Sequence, residues 1–404
     1  MRAPSTCRSS GCRRISRPCR RCCRTAGLHR RQTRFHPAFP SARRSFGNLR
    51  LYFRSGGPLY SHRGRGLQSA CRGWGRDRSN LRSQMNAPSA GEELPSKLDR
   101  GMLRYIKALS RVAGDMPTVS PQMRREVAEK QAQVMRAESD PRLDADRVIW
   151  INSEPVPVRV RLFRKRGNGC GPALLFMHGG GWEIGSPETH WELTATLAMR
   201  AGLSVISVDY ALAPEHRFPT ANQQCQSVLR WILSNASELN VDRSRVFVGG
   251  DSAGANLAAS LTLYARNEGF SLAGQFLAYP ICDFDVTRPS YRTWANGPLL
   301  TAARMRSCIS AYCPDTQVQR TNPFAAPLLA SSHAGLPPAY IALAEFDPVR
   351  DSGLEYAGAL RRSGGAVTLT DGKGLTHGYL RAGAYSKAAA REIDALCDWL
   401  KDLG

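Results

Sequence analysis

Ser252 stands in the run Gly250-Asp251-Ser252-Ala253-Gly254, behind Arg245-Val246-Phe247-Val248-Gly249 and ahead of the small-residue stretch Ala255–Arg266. A β-branched and aromatic run, then glycine, then small helix formers describes a strand that turns sharply into a helix. Only glycine at 250 and 254 leaves room for so tight a turn. A serine held there is exposed, with the positive end of the helix dipole behind it, and both features suit a nucleophile. The plainer alternative is a glycine-rich turn in which Ser252 caps the helix.

An activated serine needs donors for the negative charge that develops on the attacked oxygen. His178-Gly179-Gly180-Gly181-Trp182 follows an apolar strand at Leu174–Met177. Consecutive N–H groups can converge on one oxygen only where side chains do not crowd them, so the N–H groups of Gly180 and Gly181, joined by that of Ala253, are the candidate oxyanion hole. A phosphate-binding loop is the competing reading, but neither Gly-x-Gly-x-x-Gly nor a following Gly-Lys-Ser/Thr is present.

The serine also needs a base, and the base needs a carboxylate to hold its tautomer. Of the histidines beyond Met85, His178 opens the glycine loop, His190 and His216 lie in connections before the serine, and His333 lies in a later insertion. His377, in Thr376-His377-Gly378-Tyr379, is last in the chain and just beyond a strand at Val367–Thr370, which makes it the candidate base. Asp347, directly behind a strand at Ala339–Ala342, is the candidate acid; Asp283 and Asp285 are rivals, and Asp351 reads as a helix-start residue. Ser252, Asp347 and His377 form the candidate catalytic set.

These side chains must be carried by a doubly covered sheet. Leu98, Met102, Tyr105, Ile106, Leu109 and Val112 recur at helical spacing within Lys97–Ala113, and Ser120-Pro121 opens a second helix to about Ala137. Beyond Asp146 the pattern changes to eight short strands: Val148–Asn152, Val156–Phe163, Ala173–Met177, Ser204–Val208, Arg245–Gly249, Gln275–Tyr279, Ala339–Ala342 and Val367–Thr370. Several are apolar throughout, as in parallel strands with helices on both faces, and helical stripes fit between them. The expected organisation is cap helices at 86–145 and an α/β domain at 146–404, with a cap insertion at about 284–337.

The formal charge of +23 suggests nucleic acid until it is divided. Residues 1–85 hold 21 Arg, no Lys and one acid, Asp77, and the remainder is close to neutral. This disordered-looking, Arg- and Cys-rich segment has three candidate origins: a start assigned upstream of Met85, a transit-like peptide, or a nucleic-acid arm. The absence of Lys favours the first, so no nucleic-acid partner is expected. Cys19-x-x-Cys22 lacks a second ligand pair at zinc-finger distance, so no metal is expected. Cys170, Cys225, Cys282, Cys308, Cys313 and Cys397 are scattered and read as reduced thiols of a cytoplasmic protein. No apolar stretch approaches the ~20 residues of a membrane span.

Together, His178-Gly179-Gly180-Gly181-Trp182, Val208-Asp209-Tyr210-Ala211-Leu212-Ala213-Pro214-Glu215-His216-Arg217-Phe218-Pro219, Gly250-Asp251-Ser252-Ala253-Gly254, Asp347-Pro348-Val349-Arg350-Asp351 and His377-Gly378-Tyr379 resemble the hormone-sensitive-lipase family of α/β-hydrolases. The likeness is to its bacterial Gly-Asp-Ser-Ala-Gly carboxylesterases, over roughly 95–404. It implies an α/β-hydrolase fold with a mostly parallel eight-stranded sheet and a helical cap, and cleavage of short- to medium-chain acyl esters without a cofactor. It also implies catalytic roles for Ser252, Asp347 and His377 and oxyanion roles for Gly180, Gly181 and Ala253. Tyr379 and Val349 depart from the usual Phe and Leu. The expected partner is a small-molecule ester, with a homodimer left open. The alternatives are an amidase or deacetylase of small acylated metabolites, and a hormone-binding relative that has lost catalysis, against which the retained His377 speaks.

Overall fold

The computed structural model describes residues 95–114, 120–145 and 147–404. The expectations for residues 1–85 lie outside them. Two helices lead, α1 (Arg100–Ala113) and α2 (Pro121–Met135). The expected start of the first at Lys97 moves to Arg100, because the Asp99 carboxylate accepts the N–H groups of Gly101 and Met102 and so caps the helix there. Ser120 caps α2 through the Met123 N–H, with Pro121 at the first helical position.

The sheet follows as β1 (Leu143–Asp144), β2 (Val148–Ile151), β3 (Val158–Lys165), β4 (Gly171–Met177), β5 (Ser204–Asp209), β6 (Val241–Asp251), β7 (Gly274–Ala278), β8 (Ala339–Phe346) and β9 (Val367–Thr376). Its order is β1-β3-β5-β4-β6-β7-β8-β9, with β2 paired to the other half of the β3 edge that β1 uses. The described residues thus form nine strands where eight are legible in the sequence, because the two residues of β1 carry no period of their own. From β5 to β9 all neighbours run parallel; β1, β2 and β3 are antiparallel.

Helices α3 (Trp191–Ala201), α4 (Thr220–Ser234), α5 (Ala253–Asn267), α6 (Pro289–Thr293), α7 (Ala302–Tyr312), α8 (Thr316–Thr321), α9 (Arg350–Arg362) and α10 (Lys387–Leu403) complete the order. Strands β4, β7 and β8 bury nearly every residue, so both faces of the sheet are covered. One face packs on Val228 and Leu229 of α4, Leu261 of α5 and Leu360 of α9; the other packs on Leu197 of α3, Leu396 of α10 and Met102 of α1. These two apolar layers hold the carboxyl ends of the parallel strands in fixed register, where loops and helix starts converge.

Two elements lie over that end. From α2, Arg124 pairs with Glu183, while Arg125 donates to the Glu183 carbonyl at 2.7 Å and clasps Glu215. From α7, Arg304 pairs with the other oxygen of Glu183, and Tyr312 stacks flat on Trp182 at 4.3 Å. Both helices therefore grip the loop that begins at His178.

Candidate active site

Ser252 sits between β6 and α5 at φ 55 and ψ −120, a conformation an L-residue adopts only under constraint. Two contacts impose it. A Cβ on Gly250 would come within 2.2 Å of the Met177 carbonyl oxygen, and one on Gly254 within 2.0 Å, so the turn is pressed against the end of β4 where only hydrogen fits. The Ser252 N–H is tied to the Ala278 carbonyl at 2.9 Å. Its side chain makes no capping bond to α5, which removes the capping alternative. The helix begins at Ala253 rather than Ala255, so its dipole starts one residue from the hydroxyl.

His377 follows β9, and its Nε2 lies 2.7 Å from Ser252 Oγ. Its Nδ1 lies 2.8 Å from Oδ2 of Asp347. Asp347 is fully buried at the end of β8, and its Oδ1 accepts the Val349 N–H at 3.0 Å. The Thr376 hydroxyl donates to the Pro298 carbonyl at 2.6 Å and locks the last residue before the imidazole. Both strands run further than their apolar cores suggest, to Phe346 and Thr376, and this length brings residues 347 and 377 together.

The other acids and histidines go elsewhere. Asp283 pairs with Arg288, Asp285 caps its own turn at Thr287, and Asp351 accepts the Ser290 N–H. His333 contacts the Pro327 carbonyl, and His178 stacks on Tyr210. Burial lowers the His178 pKa to about 3, which keeps it neutral.

In the loop after β4, Gly180 and Gly181 have φ of 129° and 63°. A Cβ at Gly180 would meet the Ile184 carbonyl at 2.1 Å, and one at Gly181 would meet Cys308 Sγ of α7 at 2.5 Å. Among the described residues, the N–H groups of Gly180, Gly181 and Ala253 have no acceptor, and all three residues lie around the Ser252 hydroxyl or the cavity it faces. Gly180 and Gly181 line the cavity and are only half-buried, so these donors are free to meet an oxygen there.

Asp251 is the residue that sequence reasoning passed over. Its Oδ1 accepts the Gly179 N–H at 2.8 Å and lies 3.2 Å from His190 Nε2; its Oδ2 lies 3.4 Å from the Tyr279 hydroxyl. Burial alone would raise this carboxyl, but His190, the Arg381 charge and the Gly179 N–H outweigh it and hold the pKa at about 2. The carboxylate thereby ties the serine turn to the glycine loop. An acid beside the serine, with a histidine beside the loop, was the available signal.

The site opens into a cavity of about 210 Å³ walled by α1, α2 and α7, with Ile106, Leu109, Val127, Leu299 and Met305 among its apolar lining. Among the described residues no cluster of His, Cys, Asp and Glu could hold a metal ion, and no helix is long and apolar enough to cross a membrane.

A nucleophile turn and a glycine loop at the carboxyl ends of a doubly covered parallel sheet define an α/β-hydrolase arrangement. The family profile described as alpha/beta hydrolase fold matches residues 174–381, just over half of the sequence, and the chain belongs to that family and, within it, to the carboxylic ester hydrolases. It is 40% identical over 245 residues to the carboxylic ester hydrolase LipN of Mycobacterium tuberculosis, a match spanning 58% of this chain and 65%, just under two thirds, of that protein. It is 37% identical to the ethyl acetate hydrolase of Pseudomonas putida, over 57% of this chain and 74% of that one. Among solved structures, a thermostable esterase from Pseudomonas putida superposes with a TM-score of 0.72 at 29% identity, over 76% of this chain and 98% of that one.

Proposed function

We propose that the protein is a serine carboxylesterase for small, short- to medium-chain acyl esters, with Ser252, His377 and Asp347 as its catalytic residues. The observation that carries this reading is the unbroken hydrogen-bonded line from Ser252 Oγ through His377 to Asp347, beside three unclaimed N–H groups.

His377 Nε2 takes the Ser252 proton as Oγ attacks the ester carbonyl carbon. The carbonyl oxygen becomes an oxyanion held by the N–H groups of Gly180, Gly181 and Ala253, each such donor being worth about 3–4 kcal/mol. Asp347 accepts from Nδ1, fixes the tautomer and stabilises the imidazolium without taking its proton. The imidazolium protonates the departing alcohol, leaving an acyl group on Oγ. Water, deprotonated by His377, then releases the acid through a second oxyanion in the same donors. Ring contact with Tyr279 at 4.8 Å holds the imidazole plane during both transfers.

Cavity size supports short chains: about 210 Å³ falls below the roughly 300–1,000 Å³ of sites for drug-sized ligands. Intracellular residence is supported by the cysteines: among the described residues, Cys170, Cys225, Cys282, Cys308, Cys313 and Cys397 form no disulfide, and all but Cys170 are buried. A panel of p-nitrophenyl esters from acetate to palmitate tests the reading. Turnover should fall beyond about eight carbons as the chain outgrows the cavity. A maximum at palmitate overturns the chain-length assignment, and no turnover of any member overturns the esterase.

A further inference from the structure

The two cavities at the carboxyl end of the sheet share four lining residues: Tyr105, Gln131, His190 and Arg381. Arg381 lies in the short 3-10 turn Tyr379–Ala382, one turn beyond His377, and lines the catalytic cavity. Every other arginine lining either cavity has a partner. Arg124 and Arg304 share Glu183, Arg200 pairs with Asp394, and Arg136 covers the Trp191 ring at 3.3 Å. The Arg381 side chain, among the described residues, makes no ion pair and no hydrogen bond; Tyr105, Asp251, Tyr279 and Glu129 feel its charge without bonding to it.

The nearby carboxylates are already engaged. Asp251 is held by Gly179 and His190, Glu188 by Arg159 and Arg161, and Glu192 accepts the Ala137 N–H. Glu129 accepts from the Ser186 hydroxyl. The rest of the catalytic cavity is mostly apolar, so the partly buried guanidinium, although it feels the charges of Asp251 and Glu129, has there five donors without a bonded acceptor. A planar fork of donors matches a carboxylate in two-point geometry.

We propose that Arg381 is an anion subsite of the catalytic cavity, and that the preferred substrates are esters carrying a free carboxylate within reach of it. This deepens the esterase reading and rests on it. The apolar walls contact the carbon chain, the three N–H donors take the scissile carbonyl oxygen, and Arg381 takes the distal carboxylate. The second cavity, beyond Arg381, gives the charged end a way to water.

The test compares charged and neutral esters by pH-stat on the full chain. With the carboxylate on the acyl half, monoethyl succinate, glutarate and adipate are set against ethyl butyrate, valerate and hexanoate. With it on the alcohol half, 4-acetoxybenzoate is set against phenyl acetate. The expected result is a charged-to-neutral kcat/KM ratio of roughly tenfold or more in one arm, as for a charge-assisted hydrogen bond. That ratio should fall to about one or below in Arg381→Gln, return in part in Arg381→Lys, and shrink in the wild type as salt rises. A wild-type ratio near or below one in both arms overturns the proposal without needing any variant. Equal loss on charged and neutral esters in Arg381→Gln, with the ratio kept, also overturns it and makes Arg381 a structural counter-charge to Asp251. If neither kind of ester is turned over, the esterase reading itself fails.

Discussion

Replacing Asp347 by Asn changes one atom of the site, and the surrounding hydrogen bonds dictate the consequence. Oδ1 of Asp347 accepts the Val349 N–H at 3.0 Å, and Oδ2 faces His377 Nδ1 at 2.8 Å. An amide offers one acceptor and one donor. The Val349 N–H can only donate, so the amide oxygen takes that side and the NH₂ group turns to the imidazole. Nδ1 must then accept, the ring proton moves to Nε2, and a hydrogen points at the Oγ from which Nε2 should accept. The opposite flip restores the tautomer but sets NH₂ against N–H in a fully buried place, costing about 1–3 kcal/mol, or roughly 5- to 150-fold in population. In that minority the partner is neutral and no longer stabilises an imidazolium. Together these effects predict a fall in kcat/KM of about 10³–10⁴, or 4–5.5 kcal/mol. Hydrolysis of p-nitrophenyl butyrate measures it, with thermal unfolding as a control that the near-isosteric variant is folded. A folded Asp347→Asn enzyme within tenfold of the wild type would refute the reasoning.

Ser252→Ala should abolish turnover while leaving the unfolding midpoint close to the wild type, because the hydroxyl makes no capping bond; appreciable residual turnover moves the nucleophile elsewhere. Gly254→Ala should destabilise by about 1–3 kcal/mol or more in urea titration, since its Cβ would strike the Met177 carbonyl at 2.0 Å; a neutral result shows that β4 can yield. Asp251 gives a pH dependence. A carboxyl held near 2 in the folded protein stabilises it fully above its ordinary value of 3.8, and that contribution is lost as pH falls toward 2. Asp251→Asn should therefore be less stable at neutral pH and show a shallower acid limb between pH 4 and 2; an acid limb parallel to that of the wild type contradicts this.

The fold was legible because its strands are covered on both faces. Runs such as Leu174–Met177 and Val246–Gly249 are apolar without alternation, and the helices between them keep a 3.6-residue stripe. Two-residue β1 carries no pattern, and the far ends of β8 and β9 are held by pairing across a register shift rather than by propensity. The candidate site was legible where backbone demands particular residues: glycines 180, 181, 250 and 254 each occupy a place where a Cβ collides. Asp251 and Arg381 were not legible in this way. Their roles depend on groups distant in sequence, His190 for one and the lining of two cavities for the other, and a single charged residue in a motif does not say what it will face.

Glu183 lies two residues past Gly181, and its carboxylate is clamped by one guanidinium from α2 and another from α7. Moving either helix would strip a counter-ion from this buried carboxylate. The walls of the cavity and the peptide bearing the proposed oxyanion donors are thus fastened to one another at a single side chain.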